Sequence, residues 1–414
     1  MNFLEHIMKT ILRKKISKMN KYKNILLVII FLIFISLGLP DAILGAAWPS
    51  MHIDLNVDVA YGGIVSFIIS ICTVISSLLS DKINRHFKAG VICSVSTILT
   101  VIALFGFSIS SSFWMVILFC IPYGLGAGAI DSTVNNYVAL NYESKHMSWL
   151  HAMWGIGTIV GPYAMGFSLS LYDKWNYGYV IVGVLQILLC IMMFVSIPLW
   201  KKSSGKNNED EEKLVKEKVS IKEILKIKGV LPLLICFLCY CALETTANLW
   251  GSTYLVYNNN IPNEIAASLA SMFLIGLTVG RILNGFLASK YSDDFLIKLG
   301  QGIILFGIVL LFIPYSIPAI IGFVFIGLGC APIYPSIMHS IPLRFGTKNS
   351  QLLIGLQMAF AYLGSSLMPP LFGALASTFT VSLLPFFLLI ILIVMFILHN
   401  IVIKKTTINK IKSA

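Results

Sequence analysis

The chain has 414 residues, of which 57% are hydrophobic and only 12% charged, against roughly 25% charged in a soluble domain. That excludes a water-soluble globule and points to a chain dissolved in a bilayer. Its 30 basic and 18 acidic residues leave a net charge of +12, and the placement of those charges decides what the excess means.

A hydrocarbon core about 30 Å thick needs roughly 20 apolar residues per helical crossing. After a basic segment, 1–24, such runs occur near 25–50, 60–80, 89–109, 113–140, 147–171 and 178–200. A second set follows near 229–257, 264–288, 295–313, 317–340, 348–376 and 382–403, before a basic tail, 404–414. Between the sets, 201–228 carries nine lysines and six acids, and reads as a solvated loop with a surface helix in part of it. The basic start and Gly45-Ala46-Ala47 resemble a secretory leader and its cleavage site. The apolar segment is longer than a leader's core, however, and has a counterpart in the second half, so it reads as a retained helix.

With the N-terminus inside, the seven basic residues of 9–23, Lys82, Arg85, Lys88, Lys145, the loop lysines, Lys290, Lys298, Arg344, Lys348 and the tail lysines are all cytoplasmic. Lys174 alone falls in an outer loop, and Arg281 lies within a span. This partition predicts cytoplasmic N- and C-termini in a multi-pass protein of the cell membrane. The positive charge then serves topology and attraction to anionic lipid, and gives no support to nucleic-acid binding. All eight cysteines lie in apolar spans, so disulfides are not expected, and Cys236, Cys239 and Cys241 read as packing residues rather than metal ligands. Neither a metal nor a cofactor is implied.

The two sets repeat. Gly124-Leu-Gly-Ala-Gly-Ala-Ile-Asp-Ser in the fourth span corresponds to Gly327-Leu-Gly-Cys-Ala-Pro-Ile-Tyr-Pro in the tenth, at an offset of 203, and the same offset carries Asp41 onto Glu244. The expected fold is all-α: twelve transmembrane helices in two pseudo-symmetric bundles, 25–200 and 229–403, around a midplane cavity.

Inside the spans stand Asp41, Asp131, Glu244 and Arg281, with His151 at a margin. A charge at the bilayer centre costs at least about 2.5–3.5 kcal/mol, so such residues face a cavity, pair, or carry protons. Helical spacing puts Gly124, Gly128, Asp131 and Asn135 on one stripe, Gly38, Asp41, Gly45 and Trp48 on another, and Cys241, Glu244 and Asn248 on a third. Small and hydrogen-bonding neighbours suit a polar wall among close-packed helices better than a lipid face. A carboxyl there can load and release a proton; the plainer reading is that it only ties helices together. Arg281 either snorkels or pairs with an acid as a gate.

The arrangement resembles the major facilitator superfamily, and Ser77 to His86 is similar to its signature between helices two and three, G-x-x-x-D-R-x-G-R-R. Serine replaces the first glycine, Lys82 the first arginine and Asn84 the internal glycine, while Asp81 and Arg85 keep their places. The resemblance implies a cytoplasmic latch at Asp81 and Arg85; the alternative is a solvated turn. Within the superfamily, Asp41-Ala-Ile-Leu44, the fourth-span run Gly124, Gly126, Asp131 and Asn135, and Tyr240, Glu244, Trp250 and Tyr254 resemble the fucose permease branch with its proton-coupled sugar transporters. That implies sugar- and proton-binding roles for Asp41 and Asp131, with Glu244 as the counterpart of Asp41. Trp154 stands where the fucose permease has an asparagine that binds sugar.

Sugars are held by hydrogen bonds to hydroxyls and by aromatic faces against C–H surfaces. The substrate candidates are Asn135, His151, Trp154, Asn248, Trp250, Tyr334 and Gln357, each of which could equally be a packing or interfacial residue. The expected function is import of a monosaccharide or similar small polar solute, coupled to H⁺ or Na⁺, by a monomer. The alternative is drug efflux, because Gly157 to Gly166 resembles the G-x-x-x-G-P motif of antiporters. A solute sensor is disfavoured by a central loop of only 28 residues. No H-E-x-x-H, G-x-S-x-G or nucleotide-binding motif occurs, so no enzyme is expected and the energy should come from an ion gradient.

Overall fold

The computed structural model describes residues 2–58, 61–203, 220–259, 261 and 272–412. Helix follows helix, as a bilayer requires of backbone groups that find no water. The first span is broken: α1 (Asn2–Asp41) and α2 (Ile43–Asp54) meet at Ala42, where Pro40 has removed one rung of the hydrogen-bond ladder. Then come α3 (Tyr61–His86), α4 (Ala89–Ser108), α5 (Phe113–Asn141), α6 (Ser144–Tyr172) and α7 (Trp175–Ser203). The expected central loop 201–228 lies largely outside the described residues. Its end forms α8 (Ile221–Lys226), started by a capping box of Ser220 and Glu223.

The second half runs through α9 (Val230–Asn259), α10 (Met272–Leu287), α11 (Asp293–Leu311), α12 (Ser316–Cys330), α13 (Ile333–Phe345), α14 (Thr347–Thr378) and α15 (Leu384–Lys412). The tenth span is broken between α12 and α13, where Pro332 supplies no N–H. Ten of the described spans are long and apolar enough to cross a membrane. The remaining two are α6, too polar to qualify by composition, and α10, whose preceding residues 262–271 lie outside the described ones. Together these are the twelve expected crossings.

By internal contacts the chain forms two compact units. The first comprises Met1–Ser76, Lys82–Val134 and Met153–Glu217; the second comprises Ser77–Asp81, Asn135–Ala152 and Lys218–Ala414. Packing thus groups two short segments of the first half with the second half. The side chains give the reason: Gly355 lies against the Ser77 carbonyl, Ser80 Oγ accepts from Gln351 Nε2 (3.1 Å), and Asn136 Oδ1 accepts from Ser350 Oγ (2.7 Å).

The internal repeat is visible in how bare backbones meet inside each unit. In the first, Gly124 and Gly128 of α5 lie on Ile69 and Thr73 of α3; in the second, Gly327 of α12 lies on Phe273 and Leu277 of α10. The second pair falls one residue beyond the positions that the 203-residue offset predicts. Likewise Gly157 and Gly161 of α6 meet the backbone of Ile35 and Leu39 in α1, and Gly364 of α14 meets Leu238 and Ala242 in α9. Small residues let helices approach closely where lipid gives no hydrophobic drive for association.

The core of the first unit gathers Trp48, Met51, Phe107, Tyr123, Trp175 and Tyr179. Trp175 closes it by donating from Nε1 to Asp54 Oδ2 (2.8 Å). Trp175→Phe keeps the ring and deletes the donor, so it should cost about 1 kcal/mol and lower the thermal midpoint in detergent by a few degrees. The eight cysteines are free, and all but the half-buried Cys190 are buried.

Candidate functional site

In the first unit, the break after α1 leaves Asp41 at a helix end, an exposed residue whose carboxylate is held by two donors. Each oxygen has its own donor: the Tyr123 hydroxyl gives to Oδ1 (2.7 Å) and the Trp154 indole N–H gives to Oδ2 (2.8 Å). Carboxylates accept such charge-assisted bonds strongly, so one acid from the first span fixes an aromatic from the fourth and another from the fifth. Trp154 is among the substrate candidates from the sequence; Tyr123 is not. The signal for Tyr123 was a tyrosine in mid-span, since a buried phenol needs a partner, and it is 4% exposed.

Asp131 is half-buried. Its stripe partners Gly124 and Gly128 rest on α3, so this face of α5 packs on a neighbouring helix for two turns before Asp131 is reached. Arg85, also half-buried, belongs to this unit, whereas the half-buried Asp81 belongs to the second. Asn84, in the signature segment, which is the helical end of α3 rather than a turn, donates to Thr133 Oγ1 (3.1 Å) and thereby holds that end on α5.

The second unit brings five of the named residues into one chain of contacts. His151 Nε2 lies 3.1 Å from Asn135 Oδ1, and since that oxygen can only accept, Nε2 carries the proton. The imidazole sits 4.3 Å from the Tyr334 ring, which also meets Phe237 and Tyr240. The main-chain oxygen of His151 accepts from Arg281 Nη1 (3.3 Å), and Arg281 Nη2 faces Glu244 Oε1 at 3.6 Å. Arg281 is thus paired with an acid at depth, 3% exposed.

The other substrate candidates lie elsewhere. Asn248 is exposed. Trp250 donates to the Pro369 carbonyl (3.0 Å) and packs on Phe372, so its ring and its N–H both serve α14. Gln357 is fully buried, and neither atom of its amide has a partner within the protein. Such a group is costly to leave unmet and is met by water or ligand in a working protein. Among the described residues no cluster of histidine, cysteine and acid has the makings of a metal site.

The family model described as Major Facilitator Superfamily matches residues 26–260 and 233–412, almost the whole chain. The chain belongs to the major facilitator superfamily. Among curated proteins it is similar to Bypass of stop codon protein 6 of Saccharomyces cerevisiae, at 25% identity over 64% of the chain and 57% of that protein. It is also similar to the glucose/mannose transporter GlcP of Bacillus subtilis (24% identity, 63% of the chain, 65% of that protein). A third relative is the quinolone resistance protein NorA of Staphylococcus aureus (26%, 67% and 68%). The chain therefore matches less than two thirds of the length of the first two.

Among solved structures it is similar to the superfamily transporter FucP in its outward conformation, with a TM-score of 0.73 at 12% identity over 90% of this chain and 97% of that one. The proton:xylose symporter XylE gives 0.75 at 12% identity over 91% and 94%. At such identity these structures show the fold alone, and it is the fold of the superfamily whose model the chain matches.

Proposed function

We propose that the chain imports a monosaccharide or similar small polar solute together with protons, by alternating access of residues 25–200 against 229–403. The observation that carries this reading is the Asp41 carboxylate, set at a helix break and gripped by a phenol and an indole. An acid presented between aromatic rings can accept from sugar hydroxyls while the rings cover C–H faces. Asp131 is the leading proton site, Asp41 a substrate and coupling ligand, and Glu244 its counterpart in the second half. Asn135, His151, Trp154, Asn248, Trp250, Tyr334 and Gln357 remain the substrate candidates, and Asp81, Arg85 and Arg281 the gate. The sugar transporter GlcP among the relatives supports the solute class. The distribution of lysine and arginine supports cytoplasmic termini in the plasma membrane. A monomer is the simplest functional unit, and Na⁺ is the alternative ion.

Proteoliposomes with an imposed inward proton gradient should accumulate at least one of glucose, mannose, xylose or fucose. The reading is abandoned if all four stay at the level of protein-free vesicles. A second reading, proton-coupled efflux, is favoured by the similarity to NorA. It would show as export of a lipophilic cation from loaded vesicles, with the sugars inert.

A further inference from the structure

In the first unit, α4 and α7 pack along their length, and a ring closes each end of the contact. The Trp200 indole lies over Gly90 at one end, and the Phe105 ring lies over Gly183 at the other. A bare backbone admits a ring where a Cβ would crowd it, so the helices are drawn close at both places. Between the two, the buried Gln186 donates from Nε2 to Thr100 Oγ1 (2.9 Å) and ties the inner side. The outer side is lined by bulky residues instead: Ile98 and Val101 on α4, and Ile187, Phe194 and Val195 on α7. These hold the helices apart and leave a crevice of about 250 Å³, with Val195 on its rim 74% exposed.

The lining is hydrocarbon apart from the half-buried Cys190, so the crevice offers water no set of partners. Left unfilled, it would forfeit dispersion contacts along two helices. Whatever enters from the side of a membrane helix comes from the bilayer, and a thin, flexible, apolar shape is that of an acyl chain.

Charge at one end selects the kind of lipid. The exposed Lys88 stands at the start of α4, and α7 runs on from Trp200 into Lys201 and Lys202. Val195 lies six residues before Lys201 and Ile98 ten residues after Lys88, so the crevice begins about 9–15 Å inside this basic end. That depth falls within the chain region of one leaflet, roughly half of a 30 Å core. A headgroup level with the lysines therefore has its own chain level with the crevice.

We propose that the α4–α7 crevice binds one anionic phospholipid, with an acyl chain lying between the helices and the phosphate at the basic end. The site is separate from Asp41 and its two aromatic donors, and it does not depend on which solute or ion is carried.

The test places a fluorescent reporter in the crevice wall, Phe194→Trp, and reads its emission as the difference from the parent with its seven tryptophans. The vesicles are phosphatidylcholine with a minor fraction of phosphatidylglycerol or phosphatidylcholine brominated in mid-chain, since bromine quenches an indole that it touches. Brominated phosphatidylglycerol should show at least about fivefold higher relative affinity at this reporter than brominated phosphatidylcholine. Ile75→Trp on α3, exposed and outside the crevice, should be quenched equally by the two. Reversing Lys88, Lys201 and Lys202 to glutamate should abolish the preference. Should that variant fail to fold, raising salt from about 0.01 M to about 1 M must abolish it in Phe194→Trp itself. Equal quenching at position 194, the same preference at position 75, or a preference that survives charge reversal or salt overturns the proposal. So does shielding of the 194 reporter from both brominated lipids, as a second copy of the chain on this face would produce.

Discussion

Asp41→Asn is expected to reduce gradient-driven uptake at least about 100-fold, equivalent to about 2.7 kcal/mol. Asparagine keeps the shape and still accepts from one donor, but its second atom is an NH₂ that cannot accept from either the Tyr123 hydroxyl or the Trp154 indole. The substitution also removes the titratable group, so no proton can be carried at that site. Tyr123→Phe, which deletes one donor and leaves the acid, should cost less, on the order of tenfold, at about 1.4 kcal/mol for one hydrogen bond to a charged group. Asp131→Asn separates the two acids: uphill accumulation should collapse while exchange of labelled for unlabelled solute continues, because exchange needs no net proton movement. Initial rates of uptake and counterflow in proteoliposomes measure all three. Loss of exchange in Asp131→Asn would move that residue from coupling to solute binding, and unchanged uptake in Asp41→Asn would remove Asp41 from the site.

The second large effect is on folding. Gly161→Val and Gly364→Val each drive a branched side chain into a neighbouring backbone carbonyl, that of Leu39 on α1 and that of Leu238 on α9. A colliding backbone cannot swing away as a side chain can, so each should cost about 3 kcal/mol or more and remove most of the monodisperse protein on size-exclusion chromatography. Gly166→Val, on the same helix as Gly161, meets open space and should be recovered at parental yield. That contrast bears on the Gly157 to Gly166 run that resembles an antiporter motif. Gly157 and Gly161 have a packing duty to α1 whatever the direction of transport.

Much of the fold was legible because bilayer physics writes it into the sequence. Every crossing needs its apolar run, and a duplicated chain repeats its small residues at one spacing; the Gly124 and Gly327 contacts return that spacing to within one residue in three dimensions. What could not be read was which distant side chains meet. Nothing in the chain order announces that Asp41 would be gripped by residues 82 and 113 positions away. Nor does it announce that Asn135 to Ala152 would pack with the second half. Nor does it announce that the Trp250 indole would donate to the Pro369 carbonyl, 119 positions away. Gln357 was legible only as a polar residue in a span, and its unmet amide emerges from packing.

Among the described residues, the interruptions of the first and tenth spans do not copy one another. In the first half the ladder is cut in the first span, just after Asp41; in the second it is cut in the tenth span at Ala331 and Pro332, beside Arg281 and its neighbour Gly280, which lies on Ala331. A rod flexes where a rung is missing, so a duplicated ancestor has come to bend at non-equivalent joints. Loading from one side of the membrane and discharge to the other then need not be mirror-image steps, and their rates are free to be tuned apart.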